Sequence, residues 1–203
     1  MMKVTNLNDE QIIQLGNEIG DAFFDYPYAN GQRGICEVAD TRDKMRKYLT
    51  AFIKVGYESG LLYATSSRME GIIIITSSKD QLKLIPSIRF LKGIIGAIGL
   101  KGIFKMIIFA IKGGNDYSSV LKKKKIPYVE LQVLGVRKQY WSQGYMRQLM
   151  EMYYKLSDER NMAMHLETDD RNKALRYQHL GMKLVYERYC ADTFTIYELY
   201  KEK

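Results

Sequence analysis

A strand, a loop and a helix start follow one another where the chain could bind an anion. The sequence predicts a strand from Tyr128 to Val136, then the loop RKQYWSQ, then a helix from Gly144 to Glu159. The free amide groups at a helix start, together with the helix dipole, attract negative charge. A glycine there lets the backbone approach a phosphate closely. The unit therefore predicts an anion site, although many α/β turns share one glycine before a helix.

A second group of polar residues lies in the segment HLETDDRNKALRYQHLGMKLVYERY, residues 165–189. Leu-Glu-Thr ends a strand predicted from Met164 to Thr168, and Asn172 is predicted to open a short helix that contains Tyr177. Gly181 suits the left-handed position that follows a helix. Leu-Gly-Met then leads into a further strand.

This succession resembles the GNAT acyltransferase superfamily, whose members often have L-E-T…N…Y…L-G-F at this place. The stretch Leu131 to Val185 has the order and spacing of the family, and the resemblance extends more weakly to the whole chain. It implies an α/β (α+β) GNAT-like fold in a single acyltransferase-like domain over residues 1–203. A mixed central sheet of about six to seven strands would be flanked by helices, with a helical insertion before the fourth strand. The implied cosubstrate is acetyl-CoA, without a metal.

The donor loop of the family is usually Q/R-x-x-G-x-G/A, and only its central glycine, Gly144, is kept here. Trp141 stands at the first position of the pattern. Met146 stands at the last position, where its side chain would crowd the helix against a pyrophosphate. The loop works largely through backbone amides, so these departures need not abolish binding. The resemblance assigns donor binding to Leu134, Val136, Trp141, Gln143, Gly144, Met146, Arg147 and Asn172.

The resemblance also makes Tyr177 the proton donor to the departing thiolate. Amine attack on a thioester forms an oxyanion, and the leaving sulfur needs a proton or a strong donor nearby. A phenol with a pKa of about 10 can give that proton. The alternative is that Tyr177 is one of 16 tyrosines and simply packs on its helix.

The candidate for the general base, Glu130, has both a functional and a structural interpretation. Glu130, Gln132 and Leu134 share one face of the predicted strand by alternation. In many relatives a glutamate stands at the position of Gln132, which cannot act as a base. Glu130 could deprotonate the acceptor through a water, or it is an ordinary residue near the strand end. We expect Glu167 to be structural rather than catalytic.

Aromatic residues lie where relatives line the acceptor pocket. They are Phe23, Phe24, Tyr26 and Tyr28, together with the insertion and Tyr186, Tyr189 and Tyr197. An aromatic cluster is more often core than pocket. As a pocket, it suits an amine or an aromatic acceptor through stacking or cation–π contact.

Further predicted helices and strands would hold these residues in position. Asn8 and Gln11 form a capping-box pattern before a helix that ends at Pro27, and Asp40 or Thr41 caps a second helix. The further predicted strands are Leu61 to Thr65, Gly71 to Thr76, Lys183 to Cys190 and Thr193 to Tyr200.

Residues 81–112 are apolar and basic, with a lysine or arginine every few residues. No uncharged run reaches the length of about 18 residues that a membrane span needs. We predict two amphipathic helices broken near Gly96 to Gly99, and a polar loop from Gly113 to Lys125. Two interpretations of this region stay open. In one, it contacts a membrane surface; in the other, its apolar stripe packs on the core while the lysines face water.

The bulk composition limits the class of protein. The 203 residues, 46% of them hydrophobic, suit one soluble globular domain. The start MMKVTNLNDEQ lacks the apolar core of a signal peptide. Two cysteines without a pairing pattern predict free thiols in a reducing cytoplasm. His165 and His179 show no metal-ligand spacing. The net charge of +8 suits any polyanion and does not choose among them.

Three functions compete. The first is an N-acetyltransferase that moves an acetyl group from acetyl-CoA to a primary amine of a small molecule. Attack would be direct, in a ternary complex, because neither cysteine falls in the motif. The alternative is a CoA-binding regulatory or sensor module without turnover, which the altered donor loop and Gln132 motivate. The third, a nucleic-acid or membrane-surface protein, lacks a recognition motif. We therefore expect no nucleic acid, no stable membrane insertion, and a monomer or homodimer.

Overall fold

The computed structural model of the chain describes residues 2–79, 84–192 and 194–203. Its strands are β1 (Met2–Lys3), β2 (Leu62–Ala64), β3 (Gly71–Ser77), β4 (Tyr128–Val136), β5 (Ala163–Thr168), β6 (Lys183–Ala191) and β7 (Phe194–Lys201). They form one sheet in the order β1-β2-β3-β4-β5-β7-β6. All neighbours are antiparallel except β4 and β5, which run parallel. The predicted mixed sheet is confirmed, while Thr193 and residues 81–83 of the predicted insertion lie outside the described residues.

Helices flank this sheet. They are α1 (Asp9–Phe24), α2 (Arg42–Glu58), α3 (Leu84–Gly113), α4 (Tyr117–Lys123), α5 (Tyr145–Arg160) and α6 (Arg171–His179). The predicted capping box opens α1: the Asn8 side chain accepts from the Gln11 amide at 2.8 Å, and the Gln11 side chain accepts from the Asn8 amide at 3.0 Å. Of the two predicted caps of α2, Asp40 and Thr41, the Thr41 hydroxyl is the one that caps the helix.

The prediction of a polar loop from Gly113 to Lys125 is wrong, because α4 lies within it. Asp116 caps this helix and accepts from the Ser119 amide at 2.9 Å. Two lysines end the helix, where they complement its dipole. Leu121 is buried beneath it. The prediction failed because the run of lysines suggested a polar loop, whereas it begins in the last turn of a short amphipathic helix.

Apolar layers cover both faces of the sheet. One layer lies between the sheet and α1, α2 and part of α3, and the other lies beneath α5 and α6. A smaller cluster beneath α4 includes Leu121 and Tyr128. Each fully buried leucine or isoleucine in such layers contributes about 1.5–3 kcal/mol. The layers therefore hold the central strands in a fixed position relative to the helices.

The insertion helix α3 packs on α2 and on β6. It is broken at Gly99, whose φ of 66° and ψ of 177° are not helical, so the predicted break is confirmed. Ile94, Ala97 and Ile98 are buried on its inner face. Its outer face is also apolar, so the interpretation that its apolar stripe packs on the core holds for the inner face only. By length and composition alone, Ile88–Gly113 could cross a membrane.

Candidate functional site

A cleft opens where the two parallel strands separate. β4 and β5 pair only from Tyr128 to Leu131, opposite Ala163 to Leu166. The register with β3 shifts between Leu131 and Val133, which leaves Gln132 as a bulge. Beyond the bulge, β4 pairs with β3 alone. The part of β4 that follows the bulge and the end of β5 therefore face an open space between the two strands.

The cleft has a volume of about 630 Å³ and runs through this split. One end is formed by the loop after β4 and the start of α5. The other end lies between α1, α2 and β7. Both ends and the split belong to one continuous space, so molecules that enter from opposite sides of the sheet can meet in it.

The exposed half of β4 offers backbone groups to the cleft. Arg137 donates its amide hydrogen to the Glu70 carbonyl oxygen at 2.9 Å. Antiparallel ladders alternate bonded and non-bonded pairs. The N–H and C=O groups of Leu134 and Val136 therefore point away from β3. Both residues line the cleft, where the resemblance puts the donor.

Trp141 already uses one of these backbone groups. Its indole N–H donates to the Val136 carbonyl oxygen at 2.9 Å. A carbonyl oxygen has a second lone pair, so the bond leaves Val136 able to accept once more. This hydrogen bond holds the loop after β4 against the end of that strand. The sequence analysis treated Trp141 only as a departure from the family pattern and did not predict this role.

The start of α5 is the polar end of the cleft. Gly144 is its N-cap, with a left-handed φ of 84°, and no side chain caps the helix. Its first-turn amides are therefore free to bind an anion. Gly144, Tyr145 and Met146 line the cleft. The predicted anion site depends on these groups, and the binding of an anion there stays a prediction.

Three predicted donor residues lie outside the cleft lining. Gln143 donates its side-chain amide to the Gln139 carbonyl at 3.1 Å. Arg147 is paired with Glu151 at 3.1 Å on the exposed surface of α5. Asn172 is exposed. Their assigned roles stay predictions, which require rearrangement of these side chains on binding.

The predicted short helix after β5 is confirmed as α6, but it begins at Arg171 and not at Asn172. Asp170 is the N-cap, and its side chain accepts from the Lys173 amide at 3.0 Å. Asp170 also accepts from the Tyr26 hydroxyl at 3.0 Å and from the Ala29 amide at 2.9 Å. The cap therefore ties the chain after α1 to the start of α6.

Asp169 also anchors the chain after α1. It accepts from the Tyr28 hydroxyl at 2.9 Å, the Ile35 amide at 2.7 Å and the Lys173 ammonium at 2.8 Å. Burial alone would raise the pKa of Asp169, but Lys173 and these hydrogen bonds hold it below its usual value. Sequence reasoning missed both aspartates because their partners lie some 140 positions away in the chain.

Tyr177 lines the cleft at the split, as its predicted role requires. The side chain is buried, and among the described residues its hydroxyl has no hydrogen-bond partner. Burial, followed by the charge of Asp169, raises the pKa of Tyr177 well above its ordinary value. The phenol therefore keeps its proton over the whole physiological pH range. Lys173 and Arg176 line the cleft beside it, and sequence reasoning missed both.

The opposite end of the cleft is aromatic. Phe23 and Tyr26 line it, whereas Phe24 and Tyr28 do not. Further lining residues that were not predicted are Ile35, Tyr48, Phe52, Phe194 and Ile196. Tyr186 and Tyr189 are exposed outside the cleft. The predicted aromatic cluster is thus divided between cleft wall and other packing.

Glu167 supplies a carboxylate to this aromatic end. It lines the cleft, whereas Glu130 does not. The Glu167 side chain is 34% exposed and pairs with Arg188 at 2.7 Å. Burial raises the pKa of Glu167 to about 7, against the opposing charge of Arg188. At neutral pH this carboxyl is poised between its charged and neutral forms.

Glu130 belongs to a charged network behind Glu167. Arg188 also pairs with Glu198, which lies 3.1 Å from His165 Nε2. The other ring nitrogen of His165 lies 3.3 Å from Glu130. Burial alone would lower the pKa of His165, but Glu130 and Glu198 outweigh it and raise the pKa to about 9. The network links the predicted base to the cleft, with Glu167 at its accessible end.

Three members of this network also form a potential metal-ligand group. Ligand atoms of His165, Glu167 and Glu198 lie within 4.8 Å of one another. Arg188 bonds to both carboxylates. A guanidinium thus takes the position of a cation in this group.

Comparisons with known proteins extend the description. No protein-family model matches the sequence, and no curated protein matches it. The polyamine N-acetyltransferase of Drosophila melanogaster, which forms N-acetylagmatine, is similar in structure, with a TM-score of 0.54, 10% identity and 98% of each chain covered.

Two further solved structures are similar over nearly the whole chain. Arylalkylamine N-acetyltransferase 2 from Aedes aegypti has a TM-score of 0.57 at 13% identity, with 97% of this chain and 96% of that chain covered. The C-terminal condensation domain of Ebony, in complex with beta-alanyl-dopamine, has a TM-score of 0.57 at 10% identity, with the same coverage. The chain therefore has the fold of the GNAT acyltransferases, as the sequence resemblance implied.

Proposed function

We propose that the protein transfers an acetyl group from acetyl-CoA to the primary amine of a small molecule. The observation that carries this proposal is the continuous cleft through the β4–β5 split. It joins an anion-attracting helix start to an aromatic chamber that holds a carboxylate. A thioester that lies in the split would meet an amine that enters from the other side of the sheet.

The donor would be held mainly by backbone groups. The free amides at the start of α5 suit a pyrophosphate, and the cleft-facing groups of Leu134 and Val136 suit the amides of a pantetheine arm. Lys173 and Arg176 add positive charge beside the path. Because backbone geometry is independent of side-chain type, Trp141 and Met146 are compatible with this binding mode.

Glu167 is our candidate for the general base, in place of Glu130. A primary ammonium must lose a proton before its nitrogen can attack the thioester carbonyl. A carboxyl with a pKa of about 7 accepts that proton near neutral pH. Glu167 lines the cleft, and Glu130 reaches it only through the charged network.

Tyr177 is our candidate for the proton donor. As the amine nitrogen bonds to the carbonyl carbon, the carbonyl oxygen becomes an oxyanion. When this intermediate collapses, the C–S bond breaks, and the departing sulfur takes the phenolic proton. The nitrogen of the intermediate gives its second proton to the Tyr177 phenolate, which restores the phenol. Amide and free thiol are the products, and Glu167 releases its proton to solvent. The raised pKa of Tyr177 ensures that the phenol is protonated at the start of each turnover.

The acceptor chamber favours a small cationic amine. Aromatic walls stabilise a cation over their faces, and Glu167 supplies the opposite charge. One structurally similar protein forms N-acetylagmatine and another is an arylalkylamine N-acetyltransferase, which supports the same class of acceptor. We propose direct attack in a ternary complex, and the continuity of the cleft between its two ends supports this.

Acetyl-CoA hydrolysis and transfer can be measured by free thiol release with a panel of arylalkylamines and diamines. We expect thiol release only when an amine is present, with the acetylated amine detected by mass spectrometry. CoA binding by calorimetry without thiol release for any amine would favour the alternative of a sensor module. That alternative is motivated by the bond between Trp141 and Val136. Absence of CoA binding would exclude both.

A further inference from the structure

An apolar stripe runs along the exposed side of both segments of α3, before and after the break at Gly99. Its members recur every three to five residues and are all exposed: Ile88, Leu91, Ile95, Leu100, Phe104, Ile107 and Ile111. Leu100 is 81% exposed and Ile111 is 75% exposed. Only 22% of the most apolar window of this helix is buried. Contiguous apolar surface of this kind marks an interaction site.

The charged residues of α3 itself all have one sign, and two of them pair with acidic residues of other elements: Arg89 with Glu58 at 3.2 Å and Lys105 with Glu37 at 3.9 Å. Residues 84–113 contain five basic residues and no acidic one. Lys92, Lys101 and Lys112 are exposed, and within the described ranges none of them forms an ion pair. Lysines at the edge of an apolar face can extend their charged ends toward lipid headgroups. The whole chain adds to this attraction with its net charge of +8.

We propose that the outer face of α3 docks on an anionic lipid bilayer and lies in its interface. A second copy of the chain is a poorer occupant. A symmetric contact through this face would oppose lysines to lysines, with no acidic residue on α3 to pair with them. Anionic headgroups, in contrast, supply the charge that the face lacks.

The helix is suited to lie on the bilayer and not to cross it. Gly99 divides α3 into two segments of about 15 residues, each about 22 Å long. A hydrocarbon core is about 30 Å thick. The inner face is packed against the protein, with the Phe90 ring 4.7 Å from Phe52 and Phe109 stacked at 4.7 Å on Phe194. Insertion across the membrane would require these contacts to break.

The same contacts place the docking face behind the acceptor chamber. Phe52 and Phe194 line the cleft, and each contacts α3 from within. The outer face therefore lies about one helix diameter, roughly 10 Å, from the cleft wall. The docking proposal does not rest on acyl transfer, because it concerns the opposite face of the helix.

Co-sedimentation with vesicles tests the docking. The full chain is mixed with vesicles of pure phosphatidylcholine or of phosphatidylcholine with phosphatidylserine. We expect binding to the anionic vesicles only, weakened by salt. Leu100→Gln with Phe104→Gln should lower the partition coefficient about tenfold or more. Replacement of Lys92, Lys101 and Lys112 by Gln should lower it about a hundredfold.

Ile13→Gln with Leu175→Gln is the matched control. These two residues are each 52% exposed but lie on α1 and α6, so vesicle binding should not change. Thermal unfolding verifies that each variant is folded. Wild-type protein that stays in the supernatant with both vesicle types would overturn the proposal, and so would equal binding to neutral vesicles. A wild-type dimer that dissociates in the Leu100→Gln, Phe104→Gln variant would instead assign the face to a second copy.

Discussion

The two ends of the cleft are built from different parts of the polypeptide. The end at α5 presents backbone groups: the first-turn amides after Gly144 and the strand groups of Leu134 and Val136. The end between α1, α2 and β7 presents side chains, among them the Glu167 carboxylate and aromatic rings. The backbone end should tolerate side-chain replacement, and the side-chain end should not. Four substitutions test this difference.

Glu167→Gln should have the largest effect. It removes the proposed base but keeps the size of the side chain, so we expect turnover to fall about a hundredfold or more. Wild-type turnover should fall as the pH drops below about 7, because Glu167 with its pKa of about 7 is then protonated. It should level off above this pH. Steady-state rates across pH, under saturating amine, measure both effects.

Glu130→Gln is the matched control for this substitution. Glu130 lies outside the cleft lining, so we expect a smaller loss of turnover and a retained acidic limb. If Glu130→Gln removes the limb while Glu167→Gln keeps it, Glu130 is the base, which is the functional one of the two interpretations that the sequence left open.

Tyr177→Phe should lower turnover at least about tenfold, because the departing thiolate loses its proton donor. Donor affinity should change little, since we propose that backbone groups hold the donor. Turnover and CoA affinity by calorimetry separate the two quantities. Unchanged turnover would remove Tyr177 from the mechanism and leave it a packing residue.

Gly144→Val tests the one position at the backbone end where the side chain should matter, because it determines the backbone conformation. A β-branched residue cannot easily adopt the φ of 84° at this position. The shifted helix start should weaken CoA binding about tenfold, with little change in turnover at saturation. Gly114→Val is the matched control, because Gly114 also has a positive φ (66°) but lies outside the cleft lining. Equal losses in both variants would mean a general loss of stability.

Trp141→Phe should have the smallest effect. It removes the indole bond to the Val136 carbonyl but frees that oxygen for the donor. We therefore expect CoA affinity to change about threefold or less, as measured by calorimetry. A tenfold loss would show that the donor depends on this side chain, and the difference between the two ends would then be smaller than we propose.

The backbone end could be predicted because its determinants are local. The strand from Tyr128 to Val136, the loop and the helix start are consecutive, and hydrophobic periodicity with one glycine was enough to order them. The capping box at Asn8 was predictable for the same reason. Where local signals conflict, as in the lysine run that hides α4, prediction failed.

Except for β1 and α4, the sequence by itself determined the order of the elements and the position of Gly144. The family resemblance that it carries supplied the candidate proton donor, Tyr177. Only the tertiary structure decided which carboxylate faces the cleft. Glu167 acquires its raised pKa from burial and its partner Arg188 from another strand, and Asp169 and Asp170 meet partners more than 130 positions away. Hydrogen-bond and helix signals act over a few residues, whereas burial and charge pairing depend on residues that only the folded sheet brings together.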